Sequence, residues 1–144
     1  MTQRNEMETT FLSHAENESF ARVVIAAFVV PLSPTMSEIA DIKTAVSEAV
    51  TNAIVHAYEG TRGHVTLRAV TEGRMLTVVV EDEGKGIRDV PQAMEPFFTT
   101  HPEQERSGMG FSVMQTFMDA LHVESQPGRG TRVTMQKRIT GGLV

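Results

Sequence analysis

Cysteine is absent from the 144 residues. That excludes a disulfide framework, a thiolate zinc site and a cysteine nucleophile, and it fits a reducing compartment. Long apolar runs are missing as well. The longest, Val23 to Val30, is eight residues, too short to cross a bilayer. Met1 to Thr10 is polar and carries no secretory signal. These absences lead us to expect a soluble, cytoplasmic protein with no membrane attachment. Basic blocks are also lacking: ten arginines and three lysines are scattered through a chain of net charge −5. A nucleic-acid footprint is therefore not expected. An acidic chain can still hold a polyanion locally, through backbone amides and one or two arginines. There is no internal repeat and no low-complexity stretch.

What is present suits an ordinary core: 40% of residues are apolar and 22% charged. The length predicts a single domain over 1–144. Glu8 to Ser13 reads as a short first strand. Glu16 to Val30 reads as a helix with Phe20, Val23, Val24, Ala27 and Phe28 at helical spacing, ended by Pro31 and Pro34. Ser37 to Tyr58 reads as a long helix whose apolar stripe runs through Ile39, Ile42, Val46, Ala49, Val50, Ala53 and Ile54. His64 to Val70 and Met75 to Glu81 read as strands joined by a hairpin turn at Thr71 to Arg74. Ile87 to Ser107, with three prolines, reads as a loop, and Phe111 to Leu121 as a helix. His122 to Ser125 and Thr131 to Arg138 complete the chain as a strand pair around Pro127-Gly128-Arg129-Gly130. Mixed helices and closely spaced strands predict an α+β fold. The expected form is a two-layer sandwich, with a mostly antiparallel sheet and helices on one face.

Four groups of residues carry possible chemistry. Glu48 and Asn52 are four apart on the long helix, about 400° of turn and roughly 6 Å of rise, so they share a face. They flank the apolar stripe. They read either as a solvated pair or as a base beside an amide oxygen able to ligate a hard cation such as Mg²⁺. Asp82-Glu83-Gly84-Lys85-Gly86 ends an apolar strand. It reads either as a turn or as backbone that a ligand approaches closely. Ser107-Gly108-Met109-Gly110 opens a helix, where free amides and glycines suit an anion, and Arg106 stands beside it. Gly130-Thr131 opens the last strand and by itself marks only a turn. Glu18 and Arg22, also four apart, read as a surface ion pair worth a few tenths of a kcal/mol, roughly.

The order Glu48-x-x-x-Asn52, Asp82-x-Gly84-x-Gly86, Gly108-x-Gly110, Gly130-Thr131 resembles the GHKL ATPase superfamily. Gyrase, histidine-kinase, chaperone and mismatch-repair ATPases belong to it. This likeness covers Ser37 to the end. The segments Glu16 to Val23, Val46 to Ala53 and Glu105 to Phe111 resemble more narrowly the anti-sigma serine kinases of sporulating bacteria, nearly end to end. The resemblance implies a substrate, ATP, with Mg²⁺. It implies Glu48 as general base, Asn52 as metal ligand and Asp82 as acceptor for the adenine amino group, with Thr131 supporting the adenine. Gly84 and Gly86 would close on the nucleotide, Ser107, Gly108 and Gly110 would bring amides to the phosphates, and 87–107 would be the lid. Arg106 would stabilise γ-phosphate charge or engage the protein substrate, and Glu18 and Arg22 would contact the sigma factor. The implied partners are a sporulation sigma factor (sigma F), an anti-anti-sigma factor as protein substrate, and a second copy of the chain.

The lid segment Phe97 to Pro102 departs from that pattern. His101 stands where relatives commonly place lysine, so a phosphate contact there would depend on pH. The other histidines have no metal-ligand spacing. Two further readings stay open: a serine kinase of the general stress sigma factor, and an ATP-gated sigma clamp without turnover. A clamp needs no base, so Glu48 weighs against the second.

Overall fold

A computed structural model describes residues 3–58, 62–87, 90 and 110–141. Strand β1 (Arg4–Leu12) leads into helix α1 (Asn17–Val29) and a short 3-10 turn (Val30–Leu32). Helix α2 (Met36–Asn52) runs into a single π turn (Ala53–Ala57). Strands β2 (His64–Glu72) and β3 (Met75–Asp82) form a hairpin. Helix α3 (Gly110–Phe117) precedes strands β4 (Ala120–Gln126) and β5 (Gly130–Arg138). The five strands form one antiparallel sheet in the order β1-β2-β3-β5-β4. The α+β class, the antiparallel sheet and its one-sided helical cover are as the pattern predicts.

Strand alternation divides the sheet into two faces. Phe11, Val65, Leu67, Ala69, Leu76, Val78, Val80, Val133 and Met135 are buried on the helix side. They meet Ala21, Ile25 and Val29 of α1, Ile42, Val46 and Val50 of α2, and Met114 of α3. The other face is polar. A row of charges crosses it from Glu8 through Arg68 and Glu81 to Arg132, with N–O separations of 2.8, 3.0 and 3.3 Å. Cross-strand pairs of this kind fix register as well as adding a little stability.

Four expectations need correction. The core stripe of α1 is Ala21, Ile25 and Val29, whereas Phe20 and Val23 are 45% and 67% exposed. The run is apolar on nearly every side, so periodicity could not choose the inner face. The second helix stops its regular turns at Asn52 rather than Tyr58, because the chain widens into the π turn there. Helix α3 ends at Phe117, not Leu121. Lys137 donates from Nζ to the Phe117 carbonyl at 2.9 Å, and the Asp119 amide bonds the Gln136 carbonyl at 2.8 Å, which starts β4 early. Strand β1 also begins earlier than expected, pairing with β2 from Arg4 onward.

The start of α2 is held by its sequence and by the far end of the chain. Thr35 and Glu38 form a reciprocal capping box. The Glu38 carboxylate also accepts hydrogen bonds from the Thr140 amide and hydroxyl at 2.7 and 2.8 Å and from the Gly141 amide at 3.1 Å. Burial alone would raise its pKa, but the hydrogen bonds from Thr35, Thr140 and Gly141 outweigh it and hold the value at about 2. The folded-state pKa lies below the ordinary 4.5, so this contribution is complete above that value and is lost as pH falls toward 2. Replacing Glu38 with alanine removes the box and the tether together, at a cost of about 2–3 kcal/mol. Urea unfolding at pH 7 and at pH 3 checks this: the gap between wild type and variant should shrink at the lower pH.

Candidate functional site

The helix-covered face of the sheet ends, at one edge, in polar rather than apolar side chains. Asp82 continues the inward row of Leu76, Val78 and Val80 on β3. Register places it opposite Thr131 of β5, and Thr131 opposite Ser125 of β4. Three oxygen-bearing side chains therefore stand where the alternation calls for core residues.

Backbone turns close around this end. Asp82 Oδ1 accepts the Gly84 amide at 2.9 Å, an Asx-type turn that carries the chain out of the strand. Its carboxyl also accepts the Thr131 amide. Burial pushes the Asp82 pKa above the ordinary carboxylate value, and the two amide bonds only partly offset this. Gly84 passes so close to the π turn that an added Cβ would lie 2.3 Å from the Ala57 carbonyl oxygen. The Lys85 amide donates to that same carbonyl at 2.9 Å. Gly86 has φ of +76°, and a Cβ there would strike the Gln126 carbonyl at 2.1 Å. The glycines at 84 and 86 are thus required by close packing against the π turn and the β4–β5 turn.

Tyr58 adds a brace. Its hydroxyl accepts the Glu83 amide at 2.8 Å and donates to the His64 carbonyl at 2.7 Å. Burial, with the nearby charges of Asp82 and Glu83, raises its pKa despite those hydrogen bonds. Ser125 was likewise not singled out from the sequence. Its hydroxyl accepts the Ile87 amide at 2.7 Å and lies 3.0 Å from the Gly130 carbonyl and 2.8 Å from Thr131 Oγ1. A lone tyrosine just past the helix was a visible signal. The serine carried none until strand register placed it beside Thr131.

Glu48 and Asn52 lie on α2, both half-buried, as helical geometry requires of one shared face. Asn52 is the last residue of regular helix. Its amide faces the first residue of α3: a Cβ on Gly110 would come within 3.1 Å of Asn52 Nδ2 and 3.2 Å of Oδ1. Asn52 and Gly110, 58 positions apart, are thus brought together, and Gly84 is docked against Ala57 in the π turn that follows Asn52. Arg106, Ser107, Gly108 and His101 lie outside the described residues, as does most of 87–107. A polar cavity of about 500 Å³ opens on the other face of the sheet, with Glu8, Thr10, Thr66, Arg68 and Glu81 in its lining. Of the glycine box singled out from the sequence, Asp82 and Glu83 border it. On α1, Glu18 and Arg22 form an i,i+4 ion pair, and Arg22 also donates to Ser19 Oγ at 3.2 Å.

The site brings together a half-buried acid and an amide near the end of α2, a helix that begins at Gly110, and the oxygen-bearing side chains of Asp82, Thr131 and Ser125 at the sheet end. The histidine kinase-like ATPase domain family matches residues 11–137. The fold is similar to the RsbU and RsbW domains of a Mycobacterium tuberculosis protein, with TM-score 0.70 at 19% identity; the match covers 97% of this chain and 34% of that one. It is also similar to the catalytic domain of histidine kinase ThkA, with TM-score 0.57 at 16% identity, covering 92% and 96% of the two chains. Among sequence relatives, an anti-sigma F factor of Caldanaerobacter subterraneus is 62% identical over 96% of this chain and 97% of its own. One of Thermoanaerobacter sp. is 60% identical over the same shares, and one of Clostridium acetobutylicum is 57% identical over 94% of each. The chain belongs to the anti-sigma F factor family, built on the histidine kinase-like ATPase domain.

Proposed function

We propose that this protein is a cytoplasmic serine-protein kinase that also holds a sporulation sigma factor, sigma F, inactive, and that it works as a homodimer. Its protein substrate is an anti-anti-sigma factor, phosphorylated on serine at the expense of ATP. The observation that carries this reading is the meeting of Asn52 with Gly110 beside the docked Asp82-to-Gly86 box. An amide oxygen suited to a hard cation lies against the helix start suited to phosphates.

The donor set fits Mg²⁺, which prefers oxygen ligands and shares them with substrate phosphates. Asn52 Oδ1 would be the protein ligand, and Mg²⁺ when bound would offset charge on the phosphates. Gly110 lacks the Cβ that would crowd the Asn52 amide. Asp82 and Thr131 receive the adenine, and Gly84 and Gly86 let the backbone approach it. Glu48, one turn before Asn52, takes the proton of the acceptor serine hydroxyl as its oxygen bonds the γ-phosphorus. The bond from that phosphorus to the ADP oxygen breaks, and ADP leaves. Gly108 and Gly110 amides and Arg106 steady the charge on the transferring group. Positioning and charge stabilisation are most of what this reaction asks of a protein.

The family relationship favours sigma F over the general stress sigma factor. Incubation with labelled ATP, Mg²⁺ and the antagonist protein, followed by phosphosite mapping, tests the reading. Label on one serine of the antagonist supports it. Sigma retention without transfer would instead identify an ATP-gated clamp.

Glu18 and Arg22 are proposed as part of the sigma-binding face of α1. Their mutual ion pair is a single i,i+4 contact along one helix, of a kind worth roughly a few tenths of a kcal/mol. Arg22→Ala should therefore leave the melting temperature nearly unchanged and weaken sigma capture at least about tenfold, as expected for a charged interface contact. Unchanged capture in a pull-down titration would remove this pair from the interface.

A further inference from the structure

We propose that Ser125 orients the Thr131 hydroxyl, so that the nucleotide site selects a 6-amino purine over a 6-oxo purine. This rests on the reading that the base sits against Asp82 and Thr131, and it assigns a specificity role to a residue behind them.

The argument is a count of protons. A serine hydroxyl has one hydrogen to donate and two lone pairs to accept with. Ser125 Oγ has three neighbours at bonding distance. The Ile87 amide at 2.7 Å can only donate to it. The Gly130 carbonyl at 3.0 Å can only accept from it. Gly130 is buried and its carbonyl can only accept, so we assign the Ser125 proton to it, and one lone pair is taken by Ile87. The third neighbour, Thr131 Oγ1 at 2.8 Å, must then donate, filling the remaining lone pair. The reverse arrangement, with Ser125 donating to Thr131, would strip the carbonyl of buried Gly130 of this hydroxyl donor.

Thr131 thus spends its only hydrogen on Ser125, and its lone pairs remain as acceptors. Asp82 is an acceptor as well. Both side chains lie on the helix-covered face, at paired positions of β3 and β5. A base edge carrying an amino group matches two acceptors. A base edge carrying a carbonyl at the same position meets oxygen against oxygen. Ser125 never needs to touch the base to impose this. The same hydroxyl holds Ile87, so the chain leaving the glycine box and the polarity of Thr131 are fixed by one atom.

ATP and ITP differ at the 6-position in this sense, and the experiment is a comparison of their affinities by isothermal titration. Wild type should prefer ATP. Ser125→Ala frees the Thr131 hydroxyl to turn and donate, so the ATP-to-ITP affinity ratio should fall roughly tenfold, the worth of one hydrogen bond. Ser125→Thr keeps the hydroxyl and should keep the ratio. A purely structural role would weaken both nucleotides alike and leave the ratio unmoved, which would overturn the proposal. Should the alanine variant fail to fold, Ser125→Cys, a weak donor of similar shape, must lower the ratio in the same direction; an unchanged ratio there overturns the proposal equally. Wild type binding neither nucleotide would instead refute the placement of the base, a different and distinguishable failure.

Discussion

Glu48→Gln should abolish measurable phosphotransfer, lowering its rate about 10²–10⁴-fold, while ATP affinity stays within about twofold of wild type. Glutamine has the shape of glutamate and keeps one acceptor oxygen, but it cannot take the serine proton at neutral pH. The nucleotide contacts proposed here use Asn52, Asp82, Thr131 and backbone amides, none of which the change removes. Loss of rate without loss of binding is the signature of a group that matters in the transition state alone. Single-turnover transfer to the antagonist, with ATP affinity measured separately on the same preparation, checks it. Transfer at the wild-type rate would remove Glu48 as the base. Loss of both rate and ATP binding would make it a binding residue.

The distribution of polar residues on α2 explains why Glu48 and Asn52 stood out as candidates in the sequence, although the base role itself is what the family resemblance implies. An amphipathic helix in a two-layer fold buries one stripe, here Ile42, Val46, Ala49 and Val50. Glu48 and Asn52 border that stripe, at the helix end that faces the glycine turns. Spacing along one helix is a local property, so sequence alone could show it. The strands were legible for the same reason, since Val65, Leu67 and Ala69 alternate with polar neighbours at period two.

What stayed hidden depended on contacts between distant segments. The inner face of α1 could not be chosen, because Phe20 and Val23 are as apolar as Ile25 and Val29 and only packing tells them apart. The π turn at Ala53–Ala57 has an unremarkable helical sequence. It meets the glycine box, where the Lys85 amide bonds the Ala57 carbonyl 28 positions away. Ser125 gains meaning only from its register with Thr131 and from the arrival of Ile87. The Glu38 tether joins residues more than a hundred positions apart. Motif spacing thus located the residues proposed to meet the nucleotide, and tertiary contacts supplied the residues that aim them.

Asp82→Asn should weaken ATP binding about tenfold to a hundredfold, and hydrogen-bond direction gives the reason. The Asp82 carboxyl accepts the amides of Gly84 and Thr131. An asparagine in the same place has one acceptor oxygen, and those two amides claim it. Its NH₂ group is then turned outward, where the adenine amino group would meet a donor instead of an acceptor. The cost is therefore larger than the loss of one hydrogen bond, because two donors are left facing each other. ITP, with a carbonyl at that position, should lose less or gain, so the preference between the two nucleotides should narrow. The folded protein should not suffer: burial already raises the pKa of this carboxyl, so its charge is held at a cost that asparagine does not incur. That cost is fully present above the raised folded-state pKa and is relieved as pH falls through it. For the same reason, ATP affinity of wild type should begin to fall, on acidification, at a higher pH than an ordinary aspartate would produce. Protonation there replaces an acceptor with a donor. The Asp82→Asn variant should be flat through that window. Titrations of ATP and ITP between pH 4 and pH 8, on both proteins, with thermal melting of each, test this. Equal ATP affinity at pH 7 would mean that the adenine amino group does not meet Asp82.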